Sequence, residues 1–150
     1  MFQILLPISL TIAGAAALLN LWIAMRAGQV RRRANVSIGD GGHPLLLARM
    51  RAHANFAEYT PFVLILMALI ELGRGSTLWL WGVGILYILA RIAHAFGMDS
   101  AKAMPLRAVG VIVTFLVLIG LAAYAIYLAY QAPGLLDRGL QLQPAARASA

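Results

Sequence analysis

The chain has no cysteine, only five acidic residues and a single lysine. Without cysteine there is no disulfide, no thiolate metal site and no cysteine nucleophile, so any thiol chemistry must use a thiol carried in by a ligand. Charge of either sign is scarce, at 11% of residues, where a soluble domain carries about 25%. What fills the space is apolar: 62% of the 150 residues are hydrophobic and the mean hydropathy is +0.83. A soluble globular domain is excluded by that balance. The composition predicts an all-α membrane protein of one domain.

Four apolar segments approach the roughly 20 residues that cross a hydrocarbon layer. They cover about 2–25, 44–72, 77–98 and 105–130. The first lacks the basic start of a signal peptide and stays apolar beyond Ala15-Ala16-Ala17, which marks it as a retained span. A turn at Gly73-Arg74-Gly75-Ser76 joins spans 2 and 3, and a similarly short connection joins spans 3 and 4. Short connections predict a four-transmembrane-helix antiparallel bundle over residues 1–131. The longest connection, about 26–43, holds Arg31-Arg32-Arg33 and Gly39-Asp40-Gly41-Gly42 and is expected to be an ordered or semi-ordered loop. Residues 132–150 turn to Pro, Gly, Gln, Ala and Arg and are expected to form a polar tail.

Eleven of the twelve basic residues are arginine, and the net charge is +7. Nine of the twelve fall at the end of the bundle that holds the 1–2 and 3–4 connections; only Arg74, Arg138 and Arg147 do not. The positive-inside rule puts those connections in the cytoplasm and both termini outside it. Topology thus accounts for the basic excess without nucleic acid. The alanine- and arginine-rich composition suits a bacterial inner membrane.

Span 2 opens with the most informative stretch, Arg49-Met-Arg-Ala-His-Ala-Asn-Phe-Ala-Glu-Tyr-Thr-Pro61. Arg51, Asn55 and Glu58 are spaced i, i+4 and i+7, so they share one stripe of a helix. Span 3 repeats the pattern with Arg91, His94 and Met98, and Arg107 follows on the first turn of span 4. All lie at the basic ends of their spans and can converge at one depth. The simplest structural account pairs Arg51 with Glu58 and lets Asn55 bond a neighbouring helix. The functional account is a pocket for a small anion that also carries an ammonium, which Glu58 would meet. Polar groups at such depth are costly unless they serve a purpose.

Arg51-Ala52-His53-x-Asn55-x-x-Glu58 followed by Pro61 resembles the signature of the membrane-associated proteins in eicosanoid and glutathione metabolism, the MAPEG family. Arg91-Ile92-Ala93-His94 and Pro105-Leu106-Arg107 resemble the helix 3–4 segment of the prostaglandin E synthase branch, and Gly28-Gln29-Val30-Arg31 resembles the end of its helix 1. The likeness spans roughly residues 28 to 110, in order. It implies a homotrimer with glutathione, as co-substrate, bound between subunits near the cytoplasmic face. By the same likeness Arg31, Arg51, Asn55, Glu58, Arg91 and His94 would bind glutathione. Arg107 would stand at its thiol as the catalytic residue. The residue chemistry agrees with that ligand. Guanidiniums suit its two carboxylates, Glu58 its ammonium, and Asn55 a peptide bond. A guanidinium beside the thiol favours the reactive thiolate.

Two positions depart from the pattern. Met98 stands where the relatives carry a tyrosine, and Ala108 replaces a hydroxyl residue. Both count against prostaglandin-type isomerase chemistry and toward conjugation or peroxide reduction, with Met98 lining the site. The expected activity is a glutathione transferase, with glutathione peroxidase activity beside it, acting on a lipophilic electrophile from the bilayer. The alternative is a non-catalytic membrane module that binds glutathione or another small anion, or a structural helix-assembly protein. His43, His53 and His94 lack metal-ligand spacing, so no metal is expected. His53 should make a structural hydrogen bond, His43 should open span 2, and Tyr124, Tyr127 and Tyr130 read as an interfacial belt. Gly82, Gly84 and Gly110 read as close helix contacts. Asp99 could cap the 3–4 turn or sit near Arg107.

Overall fold

A computed structural model describes residues 5–131; residues 1–4 and the expected tail at 132–150 lie outside the described residues. The chain forms α1 (Pro7–Arg33), α2 (Pro44–Arg74), α3 (Leu78–Gly97) and α4 (Met104–Gln131), with a single 3₁₀ turn, Ala101–Ala103, before α4. All four helices are long and apolar enough to cross a membrane. The protein is an integral, multi-pass membrane protein. In lipid every backbone polar group needs an internal partner, and an unbroken helix supplies one within the segment itself. Proline stands in the first turn of α1 and α2, where its missing N–H costs nothing. Gly75, with φ +78°, ends α2.

One boundary differs from the sequence reading. The first span was expected to end near Met25, with a loop from Arg26; instead α1 continues two turns to Arg33, and the connection shrinks to residues 34–43. The extension is held by Arg26, which is buried against α3, and its last turn carries Arg31, Arg32 and Arg33, a sign of charge that suits a helix C-terminus.

In the bundle α1 packs on α2 and α3, and α4 packs on α3 and α2, while α1 and α4 occupy opposite corners. Away from the basic end, Ile8, Ile12, Val63, Met67, Leu80, Tyr87 and Leu121 form the main apolar core. Toward the basic end the core thins to Ala16, Leu19, Ile23, Phe56 and Ala95. Gly84 and Gly110 are buried contacts as expected, but Gly82 is exposed with open space beside it, so it is no helix contact in the protomer.

At the end opposite the basic cluster, Glu71 is buried and accepts hydrogen bonds from the backbone N–H groups of Ile8 (3.0 Å) and Ser9 (2.7 Å) and from the Ser76 hydroxyl (2.7 Å). A carboxylate from α2 thereby satisfies the open N–H groups at the start of α1 and meets the positive end of its dipole. In the sequence Glu71 gives only one signal, a lone acid near the end of an apolar run.

Candidate functional site

The helix 2 stripe does what its spacing predicts. Arg51, Asn55 and Glu58 project from one side of α2, and with Ala54 they face His94 of α3, Met98 just after α3, and Arg107 and Val111 of α4 around a cavity of about 340 Å³. Small-molecule sites commonly span roughly 300–1,000 Å³. The cavity depends on a close crossing of α3 and α4. A Cβ on Gly110 would lie 2.6 Å from the Ala90 carbonyl oxygen, and one on Gly97 would strike the backbone of Arg107. Only glycine lets the two helices approach so far, and this approach carries Arg107 to His94. The Nδ1 of His94 lies 3.4 Å from the Arg107 carbonyl oxygen.

Arg91 sits behind the cavity, 1% exposed. Its guanidinium donates to Oδ1 of Asn55 (2.8 Å) and to the Thr114 hydroxyl (3.2 Å), and that hydroxyl donates to the Gly110 carbonyl (2.7 Å). Its Nε has no hydrogen-bond partner, and no carboxylate lies within ion-pair distance of it among the described residues. A buried cation without an anion is expensive. The arrangement also fixes Asn55: its oxygen is engaged by Arg91, which leaves its NH₂ group as the donor for a ligand. Thr114 was not anticipated, since a single hydroxyl in an apolar run carries no pattern. The Tyr87 and Thr60 hydroxyls, 2.7 Å apart, add a further buried polar contact between α3 and α2.

Arg51, Glu58 and Arg107 are exposed, and none of them has an ion-pair partner among the described residues. The simple Arg51–Glu58 pair is therefore absent. Arg31 is not brought to this cavity within the protomer. Its guanidinium donates to the carbonyls of Ser37 (3.2 Å) and Gly39 (2.9 Å) in the loop after α1 and lies 3.4 Å from the Met50 sulfur.

A second cluster at the same end is built differently. Asp99, in the turn after α3, is held by Arg26 of α1 through one oxygen and by Arg49 of α2 through both, at 3.1 and 3.2 Å. Arg26 also donates to the Ala95 carbonyl (3.1 Å) and lies 4.6 Å from the Trp22 ring centroid and 5.0 Å from that of Phe96. Arg49 donates in turn to the Arg26 carbonyl (3.0 Å). Asp99 thus borders a cavity together with Arg107, one of the two places offered by the sequence, but its oxygens go to Arg26 and Arg49. In the sequence Arg26 and Arg49 read only as topological charge, and nothing local links positions 26, 49 and 99.

The remaining histidines and tyrosines have simple surroundings. His53 Nε2 lies 2.9 Å from Asn20 Oδ1 of α1, a structural bond, and His43 immediately precedes α2. Tyr124 packs edge-on against Trp79, with ring centroids 5.2 Å apart.

Comparison with protein families matches residues 9–127 to the model of the MAPEG family. No curated protein matches the chain.

Proposed function

The chain belongs to the MAPEG family, and on that premise we propose that it is a membrane-bound glutathione transferase working at the basic, cytoplasmic end of the bundle in a bacterial inner membrane. The observation that carries the reading is the convergence of Arg51, Asn55, Glu58, His94, Met98 and Arg107 on one cavity. Glutathione offers two carboxylates, an ammonium, two peptide bonds and a thiol. Arg51 suits a carboxylate, Glu58 the ammonium, and the NH₂ of Asn55 a peptide carbonyl. Arg107 favours the thiolate of a thiol whose pKa is about 8.5 when free. The thiolate sulfur then forms a bond to an electrophilic carbon, and the leaving group departs with its electron pair. In peroxidase mode two glutathione thiols would reduce one hydroperoxide to an alcohol and water, leaving glutathione disulfide.

The groove is open on the protomer surface. In the proposed homotrimer a neighbouring subunit covers it, and Arg31 belongs to the wall between subunits. Both termini would then lie outside the cytoplasm. The test is direct. Detergent-purified protein should gain thermal stability in millimolar glutathione, by mass action on the folded state, and should conjugate 1-chloro-2,4-dinitrobenzene with release of chloride. Absence of both effects overturns the proposal.

A further inference from the structure

An asparagine amide carries an acceptor end and a donor end, and only one of them faces the cavity. A guanidinium has no acceptor, so the Asn55 atom 2.8 Å from Nη2 of Arg91 is its carbonyl oxygen, and its NH₂ is left for the cavity. The constraint starts deeper, on α4. Nη1 of Arg91 donates to the Thr114 hydroxyl (3.2 Å), so that hydroxyl must place its own proton elsewhere. It donates to the Gly110 carbonyl, 2.7 Å away and one turn earlier in α4. Such a bond to the i−4 carbonyl is open to a threonine within a helix, and it fixes the side-chain rotamer.

Every donor in this chain of bonds therefore has a single direction. The relay runs from Gly110 and Thr114 on α4, through Arg91 on α3, to Asn55 on α2. Arg91 and Thr114 are each 1% exposed, and neither borders the cavity. Apolar side chains would join the three helices without burying an unpaired cation, which is costly. What the polar relay adds over apolar packing is a fixed orientation for Asn55. The planar fork of arginine suits this place, because it serves acceptors on two helices at once, where lysine offers a point charge on a flexible stem.

We propose that Thr114 is a positioning residue of the ligand site: it holds Arg91, Arg91 holds Asn55, and the site thereby demands a carbonyl acceptor opposite the Asn55 NH₂. The inference rests on the glutathione reading of the cavity, and the acceptor is a peptide carbonyl of that ligand. Thr114 itself does not touch the ligand. The relay ends at an amide that meets a peptide bond, so its loss weakens the binding of glutathione and leaves the sulfur chemistry to Arg107.

The experiment uses the full-length protein in detergent. Thr114→Val keeps a β-branched side chain and removes the hydroxyl, and Thr114→Ser returns it. Thr60→Val is the control, since it removes another buried hydroxyl, the one 2.7 Å from Tyr87. Asn55→Asp still accepts from Arg91 but turns a second carboxylate oxygen toward the ligand in place of the NH₂. The readouts are KM for glutathione and kcat with 1-chloro-2,4-dinitrobenzene, and the melting temperature without ligand. Thr114→Val should raise KM about fivefold, the scale of one neutral hydrogen bond, with kcat retained. Thr114→Ser should restore KM, and Thr60→Val should lower the melting temperature without moving KM. Asn55→Asp should raise KM about tenfold or more, because acceptor then faces acceptor. Its melting temperature should not fall, because the new carboxylate pairs with Arg91. A purely structural contact does not move binding and stability apart in this way.

A stabilised, active wild type whose KM is unmoved in Thr114→Val defeats the relay alone. So does a KM that Thr114→Ser does not restore, or one that rises equally in Thr60→Val. If Thr114→Val does not fold, Asn55→Asp decides, and a wild-type KM in that variant overturns the relay. A wild type that is neither stabilised by glutathione nor active defeats the glutathione reading and the relay with it.

Discussion

Two arginine clusters share the basic end of the bundle, and they handle charge in opposite ways. Arg26 and Arg49 close on Asp99, on backbone carbonyls and on two aromatic rings, and little of that knot is left to meet a ligand. Arg51 and Arg107 line an open groove with no carboxylate in ion-pair distance, and Glu58, the acid beside them, stands equally alone among the described residues. A paired cluster ties three parts of the chain together. A cluster of opposite charges that do not meet one another leaves both signs of charge unpaired along the groove. The contrast separates paired arginines from unpaired, cavity-lining ones at the same end of the bundle, which composition and spacing did not do.

The largest expected effect that would break this contrast falls on Arg107. Arg107→Ala should lower glutathione conjugation about 100-fold, the usual scale for removing one preorganised group that stabilises reacting charge, while glutathione still shifts the melting temperature. Unchanged turnover would remove Arg107 from the chemistry. Asp99→Asn comes next and should act on stability. It leaves two guanidiniums facing each other at a site where the Asp99 side chain is 26% exposed, so a loss of about 2 kcal/mol is expected, less than the roughly 3–5 kcal/mol for breaking a fully buried pair. Thermal unfolding in detergent reads it, and an unchanged melting temperature would make the knot ornamental.

Glu58→Gln sharpens the same comparison from the other side. It should weaken glutathione binding by about tenfold, in line with one lost charge-assisted hydrogen bond, and leave the melting temperature of the unliganded protein in place. If instead the unliganded protein loses stability and its assembly changes, Glu58 belongs with Asp99 as a structural acid. The smallest effect is expected from His53→Ala, which removes one bond to Asn20. Polar contacts between membrane helices average about 0.6 kcal/mol, so its melting temperature should drop slightly and its glutathione response should not change.

Much of this arrangement was legible in the chain because the signals are local. Four apolar runs mark four helices, since an isolated backbone in lipid has no other solution. Helical spacing aligns Arg51 with Asn55 and Glu58, and His94 with Met98, before any packing is known. The misses share a cause as well. The continuation of α1 past Met25 rests on Arg26 meeting Asp99, 73 positions away. Glu71 reaches the start of α1 across 63 positions. Arg31 looks like a site residue by its motif, yet in the protomer it turns to its own loop. Nothing in a helical period indicates which neighbour a face will touch.

By itself the sequence determined the membrane class, the helix count and the residues that share each stripe, because these follow from solvation of the backbone and from the 3.6-residue turn. Tertiary structure decided the rest. The near contact of α3 and α4 at Gly97 and Gly110 sets Arg107 beside His94, the hydrogen bond from Arg91 turns Asn55 into a donor, and Asp99 draws two arginines out of the site. Each of these depends on which helices meet and how closely, and that is settled by packing across the whole bundle.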